Sequence, residues 1–142
     1  MSTFDIMKIA ANETAFCHAK DVKGNLLYTD DNQPVGAVLY GPASDAYAAL
    51  QTKIEQRAEQ ERADNNGKLP TLTPEQQRQR TAEDLADLTV GLLYLDHPNA
   101  GGKHGRDAVM ALYADARFGY LTKQFDRFAF AWGNFAPASS GI

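Results

Sequence analysis

The chain has a single cysteine, Cys17, so no disulfide can form within it, and a reducing compartment is the natural expectation. Long apolar runs are missing too, and nothing approaches the length of a membrane span. The opening residues, MSTFDIMKIAAN, carry Asp5 early and hold no continuous apolar stretch, which does not fit a secretory signal. A basic excess is also lacking. Lys and Arg total 14 against 18 Asp and Glu, for a net charge of -4, which argues against nucleic acid as the main partner. What is present suits one folded unit. The 142 residues are 44% apolar, enough to bury a core without a metal or disulfide staple. One domain over 1–142 is expected.

Phe4, Ile6, Met7, Ile9 and Ala10 suggest a short N-terminal helix. Three strand-like runs follow: Ala15 to Val22, Asn25 to Thr29 (NLLYT) and Val35 to Tyr40 (VGAVLY). Turn clusters at Gly24-Asn25 and Asp30–Pro34 separate them. The last run is rich in β-branched and aromatic residues. These features predict a small antiparallel β-meander over 15–40, which needs helices packed on one face.

Gly41-Pro42 ends the last strand, and Ser44 can cap a helix by accepting a free backbone N–H. Tyr47, Leu50, Ile54 and Ala58 recur at helical spacing. Beyond them EQERADNNGK is polar on every side, so Glu59 to Leu72 is expected to project or be mobile. Thr73-Pro74-Glu75-Gln76 combines an N-cap, a first-turn proline and a capping-box glutamine. The helix it starts is expected to run to about Tyr94 along a seam of Leu85, Leu88, Leu92 and Leu95. A loop, a short helix over Arg106–Ala114 and a final helix over Phe118–Phe135 complete the helical part, 44–135. The tail 136–142 should fray. The fold class is therefore α+β and helix-dominated, with the meander on three to four helices. Its core should include Leu39, Tyr47, Leu50, Ile54, Leu85, Leu88, Leu92, Leu112, Leu121, Phe125, Phe128 and Trp132.

No catalytic constellation emerges. His97 and His104 flank a glycine-rich loop and, with Asp96, could suit a small metal-binding enzyme, but neither HxxxH nor HExxH spacing is present. Loop histidines on the surface are the expectation. Gly101-Gly102-Lys103 fails the phosphate-loop pattern, because His97 and His104 stand where Gly and Ser or Thr are needed. Cys17 and His18 are neighbours and would face opposite ways on a strand. Cys17 is expected to pack as a small hydrophobe. Glu83, Asp84 and Asp87 read as a solvated helix face. No cofactor, metal or catalytic residue is assigned, and the chain is not expected to be an enzyme.

One residue departs from the core pattern. Phe130 lies opposite Leu121 on the last helix and shares a face with Lys123, Asp126 and Arg127. Lys123, Arg127 and Phe130 are the candidate partner-binding residues, for a client or for self-association into a homo-oligomer. The competing expectation is that Phe130 packs beneath the N-terminal helix around Phe4 and Ile9.

The order of motifs is distinctive. A short helix and meander lead into Val38-Leu39-Tyr40-Gly41-Pro42-Ala43-Ser44, then a helix with a long polar end. A capped helix reaches Thr89-Val90-Gly91. After a loop come Ala108 to Phe118 (AVMALYADARF), Gln124 to Phe128 (QFDRF) and Gly133-Asn134-Phe135. Over Ala15 to Phe135 the chain resembles the tail assembly chaperones of long-tailed, siphovirus-type bacteriophages. The resemblance implies a late protein of tail morphogenesis in the host bacterial cytoplasm. It implies two partners, the tape measure protein and the tail tube protein, and absence from the mature virion; that no membrane or nucleic acid is a partner is expected from the charge and the lack of a long apolar run. The alternative within the same context is a virion structural protein of the tail or head–tail junction.

Overall fold

The computed structural model describes residues 2–100 and 105–137. The VGAVLY run forms the centre of a three-stranded antiparallel sheet. Strand β2 (Gly36–Tyr40) pairs on one side with β1 (Thr14–His18) and on the other with β3 (Thr89–Leu93). Ala37 and Leu39 are completely buried on β2, as a strand covered by helices on one face requires. Gly36 permits the close pairing with β1, because a Cβ there would collide with the Cys17 carbonyl and the Phe16 ring.

The expected helix-dominated α+β class is what forms, but the third strand comes from a different place. NLLYT makes only isolated bridges, Lys20 to Leu26 and Tyr28 to Pro34. Its Leu27 N–H donates to the Ala19 carbonyl, and the Leu27 carbonyl accepts from Val35 N–H. Ala19 N–H closes the ring onto the Val35 carbonyl, so this segment bonds in both directions for one residue and extends no ladder. The sheet is therefore not confined to 15–40.

Its third strand lies in what reads as helix. Helix α2 (Pro74–Asp87) stops seven residues before Tyr94, and Leu88 leaves helical geometry at φ -96, ψ 3. Thr89 and Val90 are β-branched and poor in a helix interior. The Thr89 hydroxyl lies 2.8 Å from the Leu85 carbonyl and 2.9 Å from the Tyr113 hydroxyl, which ties the start of β3 to both α2 and α3. The leucine seam is thus split between Leu85 and Leu88, fully buried, and Leu92 and Leu95, partly buried.

The caps act as the sequence indicates. Ser44 accepts from Tyr47 N–H and starts α1 (Asp45–Asp64). Thr73 and Gln76 form a complete capping box at α2. Gly67 takes φ +83 in the turn between the two helices. Helices α3 (Arg106–Tyr113) and α4 (Gly119–Phe130) follow. A core of Leu39, Leu50, Leu85, Leu88, Tyr113, Leu121 and Phe125 joins sheet and helices.

Three further expectations change. Trp132 is 60% exposed, not core, because the last helix ends at Phe130 and a short 3-10 turn over Trp132–Phe135 redirects the chain. Phe135 takes the buried place instead, its ring only 2.5 Å from where a Cβ on Gly41 would stand. Glu59 to Leu72 is mostly exposed but does not stand clear of the body, since Arg80 binds Glu61 at 2.9 Å. Asp84 and Asp87 are not a simply solvated face. Arg57 holds Asp84 through two bonds of 2.9 and 2.7 Å, while Lys53 and Arg106 both reach Asp87, so α2 is stapled to α1 and α3. In the frayed-tail expectation, residues 138–142 lie outside the described residues.

Candidate partner-binding surface

Helix α4 buries Leu121, Phe125 and Ala129, one residue every four, against the core. That spacing turns Lys123, Arg127 and Phe130 outward together, and all three are exposed. Phe130 is 40% exposed and meets the Tyr47 ring edge-on at 5.3 Å. It does not pack beneath the N-terminal segment, where Phe4 and Ile9 are themselves exposed. The helix ends because Ala131 is extended, and Asn134 donates its side-chain N–H to the Phe128 carbonyl at 3.1 Å.

The three residues form a ridge between two clefts. On one side Arg127 lines a cleft of about 540 Å³ shared with Lys20, Leu26, Phe128 and Asn134. On the other, Phe130 and Asp126 line a smaller cleft of about 160 Å³ between α1, α2 and α4. Leu50, Ile54, Leu85 and Leu88 form its apolar wall, and Asp84 stands at its edge. Burial pushes the Asp126 carboxyl up, and the nearby Asp84 charge pushes the same way. The sequence places Asp126 on the charged face. Its role in the cleft depends on α1 and α2 closing over it, which helical periodicity within α4 does not report.

A second apolar surface lies at the other end of the chain. Ile6–Ile9 forms a 3-10 turn capped by Asp5, and Phe4, Ile6, Met7 and Ile9 are all exposed. Asn12 ties this segment to the body by donating its N–H to the Phe135 carbonyl at 2.7 Å. The two apolar regions are therefore joined through the Trp132–Phe135 turn.

The histidine expectation is corrected. His97 is buried, at 4% exposure, not on the surface. Its Nε2 lies 2.8 Å from the Asp115 carboxylate, and its Nδ1 accepts Asn99 N–H at 3.0 Å. The accepted bond at Nδ1 places the proton on Nε2, donating to Asp115. Arg117 binds the same carboxylate at 2.7 Å and lies over the Phe118 ring, which in turn meets the His97 ring edge-on. Arg117, ahead of His97, holds the Asp115 carboxyl well below the usual carboxylate range. Both ring nitrogens are thus committed to protein partners, and Asp96 is exposed. His104 lies outside the described residues. Among the described residues no group of three or more His, Cys, Asp or Glu is placed to hold a metal.

Cys17 is buried, and burial pushes its thiol up to about 11 despite the opposing charge of Lys20. Its packing as a small hydrophobe is as the sequence suggests. Among the described residues no helix is long and apolar enough to cross a membrane. Comparison with protein-family models, curated proteins and solved structures finds no match to this chain.

Proposed function

We propose that this chain is a tail assembly chaperone of a long-tailed bacteriophage. It binds the tape measure protein, assists assembly of the tail tube in the host cytoplasm and is left out of the finished particle. The motif order from Ala15 to Phe135 supports the family reading. The observation that carries a binding role is the α4 ridge, where Phe130 remains accessible beside Lys123 and Arg127 while the core stripe is sealed. A client that is a long amphipathic helix needs apolar anchors reachable in the free protein, with charge around them. The exposed Phe4, Ile6, Met7 and Ile9 add a second apolar surface of the same kind.

The test is affinity recovery of the tagged chain from infected or induced cells, paired with mass spectrometry of purified virions. Recovery of the tape measure protein with no trace of the chain in virions supports the proposal. Its presence at stoichiometric level in virions would instead make it a tail or head–tail junction component. Failure to recover the tape measure protein defeats the chaperone reading.

A further inference from the structure

The smaller cleft beside the ridge has features that the ridge alone does not explain. At about 160 Å³ it is close to the ~150 Å³ engineered cavity that accepts benzene, so it suits one side chain and not a cofactor. Ile54 and Phe130 are its accessible apolar lining, whereas Leu50, Leu85 and Leu88 are almost fully buried behind the cleft surface. Two carboxylates reach it, and they are not equivalent. Asp84 is neutralised by the two-bonded Arg57. Asp126 has no hydrogen bond or ion pair to any described residue. Neither of its oxygens is sealed from solvent, since no buried side-chain oxygen lacks a partner. A half-buried carboxylate without a cation, at the end of an apolar slot, is complementary to a basic group on a long aliphatic stem.

We infer that the cleft between α1, α2 and α4 receives one Arg or Lys side chain from a protein partner, its stem along Ile54 and its cation on Asp126. The aromatic face of Phe130 adds a cation–π contact at the entrance. Arg127 does not compete for this site, because it lines the cleft on the other side of the ridge. Identification of the partner as the tape measure helix rests on the chaperone reading; the cleft's preference for a cation does not.

The experiment compares the whole chain with Asp126→Asn. This isosteric change removes the charge and leaves the shape. A carboxyl whose pKa is raised by folding opposes folding when ionised, so the variant should melt no lower than the wild type at neutral pH. Capture of co-expressed tape measure protein should nevertheless weaken by roughly tenfold or more. Thr81→Arg, which brings a cation to the cleft from α2 itself, should produce the same loss by occupying the site. Undiminished capture by both variants overturns the inference and leaves the chaperone reading intact. If the wild type captures no tape measure protein, the chaperone reading fails and the cleft is decided separately. The probe is then an alanine-based helical peptide with one Arg, beside its citrulline twin. Shifts of the Ile54 methyl resonances with the Arg peptide only, abolished by Asp126→Asn, support the cleft. Equal shifts with both peptides, or none, reject it.

Discussion

Gln124 forms a two-way backbone clamp on Lys20. Its side-chain oxygen accepts Lys20 N–H and its side-chain N–H donates to the Lys20 carbonyl, each at 2.9 Å. A side chain of α4 thereby pairs with the β1–β2 connection as a strand would. Gln124→Ala should cost about 1–2 kcal/mol, the sum of two exposed hydrogen bonds, measured by urea denaturation. Gln124→Glu can still accept but cannot donate, and should recover only part of that. A loss of less than a few tenths of a kcal/mol in both would mean that the clamp adds nothing.

Gly41 and Phe135 predict a steric coupling. Gly41→Ala places a methyl 2.5 Å from a fully buried ring and should destabilise by about 1–3 kcal/mol. Phe135→Leu, costly alone, should make Gly41→Ala less costly. A double-mutant cycle with no coupling would show that the loop moves freely instead.

Phe130→Ala should lower stability by about 1–2 kcal/mol, since it loses the Tyr47 contact but leaves no sealed cavity. Phe130→Leu, which keeps most of the volume, should restore stability. Loss of tape measure recovery in the Leu variant would assign the aromatic ring itself to binding. Full recovery in both variants would remove Phe130 from the binding surface.

Two titrations have opposite signs. Asp115 is held low by Arg117 and His97, so it stabilises the fold above its unfolded pKa and that contribution is lost as acid protonates it. Asp115→Asn should therefore flatten the acid side of the stability curve below about pH 4. Cys17 is raised, so its effect is a loss of stability as pH rises from about 8.5 toward 11. Its thiol should react with a disulfide reagent roughly a hundredfold more slowly in the native state than in urea. Equal rates would show that the β1 edge opens readily.

Limited proteolysis should cut first near Asn66–Lys68, where Asn66 and Gly67 take positive φ between α1 and the linker. Glu61→Ala, which releases Arg80, should extend cleavage back into the end of α1. Unchanged cleavage would mean that the ion pair does not hold this turn in solution.

The features legible in the sequence are those whose cause is local. Ser44 and the Thr73–Gln76 box satisfy backbone N–H groups within one turn, so their chemistry appears in consecutive residues. VGAVLY carries enough β-branched and aromatic character to stand as a strand by itself. Thr89–Leu93 does not, because leucines at helical spacing extend the pattern of α2 across it. The opposing signal was the β-branched pair Thr89-Val90 followed by Gly91, all weak helix formers. The burial of His97 is not legible in the sequence for a different reason. Its burial depends on Asp115 and Phe118, reached only through the fold, and no spacing rule links them. For the candidate site, the outward turn of Lys123, Arg127 and Phe130 follows from periodicity, whereas the Tyr47 contact and the Asp126 cleft require α1.

Drawing β3 from the far side of two helices gives the sheet a birth order. When β2 leaves the ribosome it can zip to β1, but its other edge must wait until all of α1 and α2 has been made. At ~5–20 residues per second, that edge stays unpaired for a time on the order of seconds. The α1–α2 hairpin, built from near neighbours and tied by Arg57 and Asp84, can form during the wait and shield Leu39. A chain interrupted before Thr89 would therefore expose the centre of its sheet, and nascent protein, not mature protein, should be the species most prone to stick to itself.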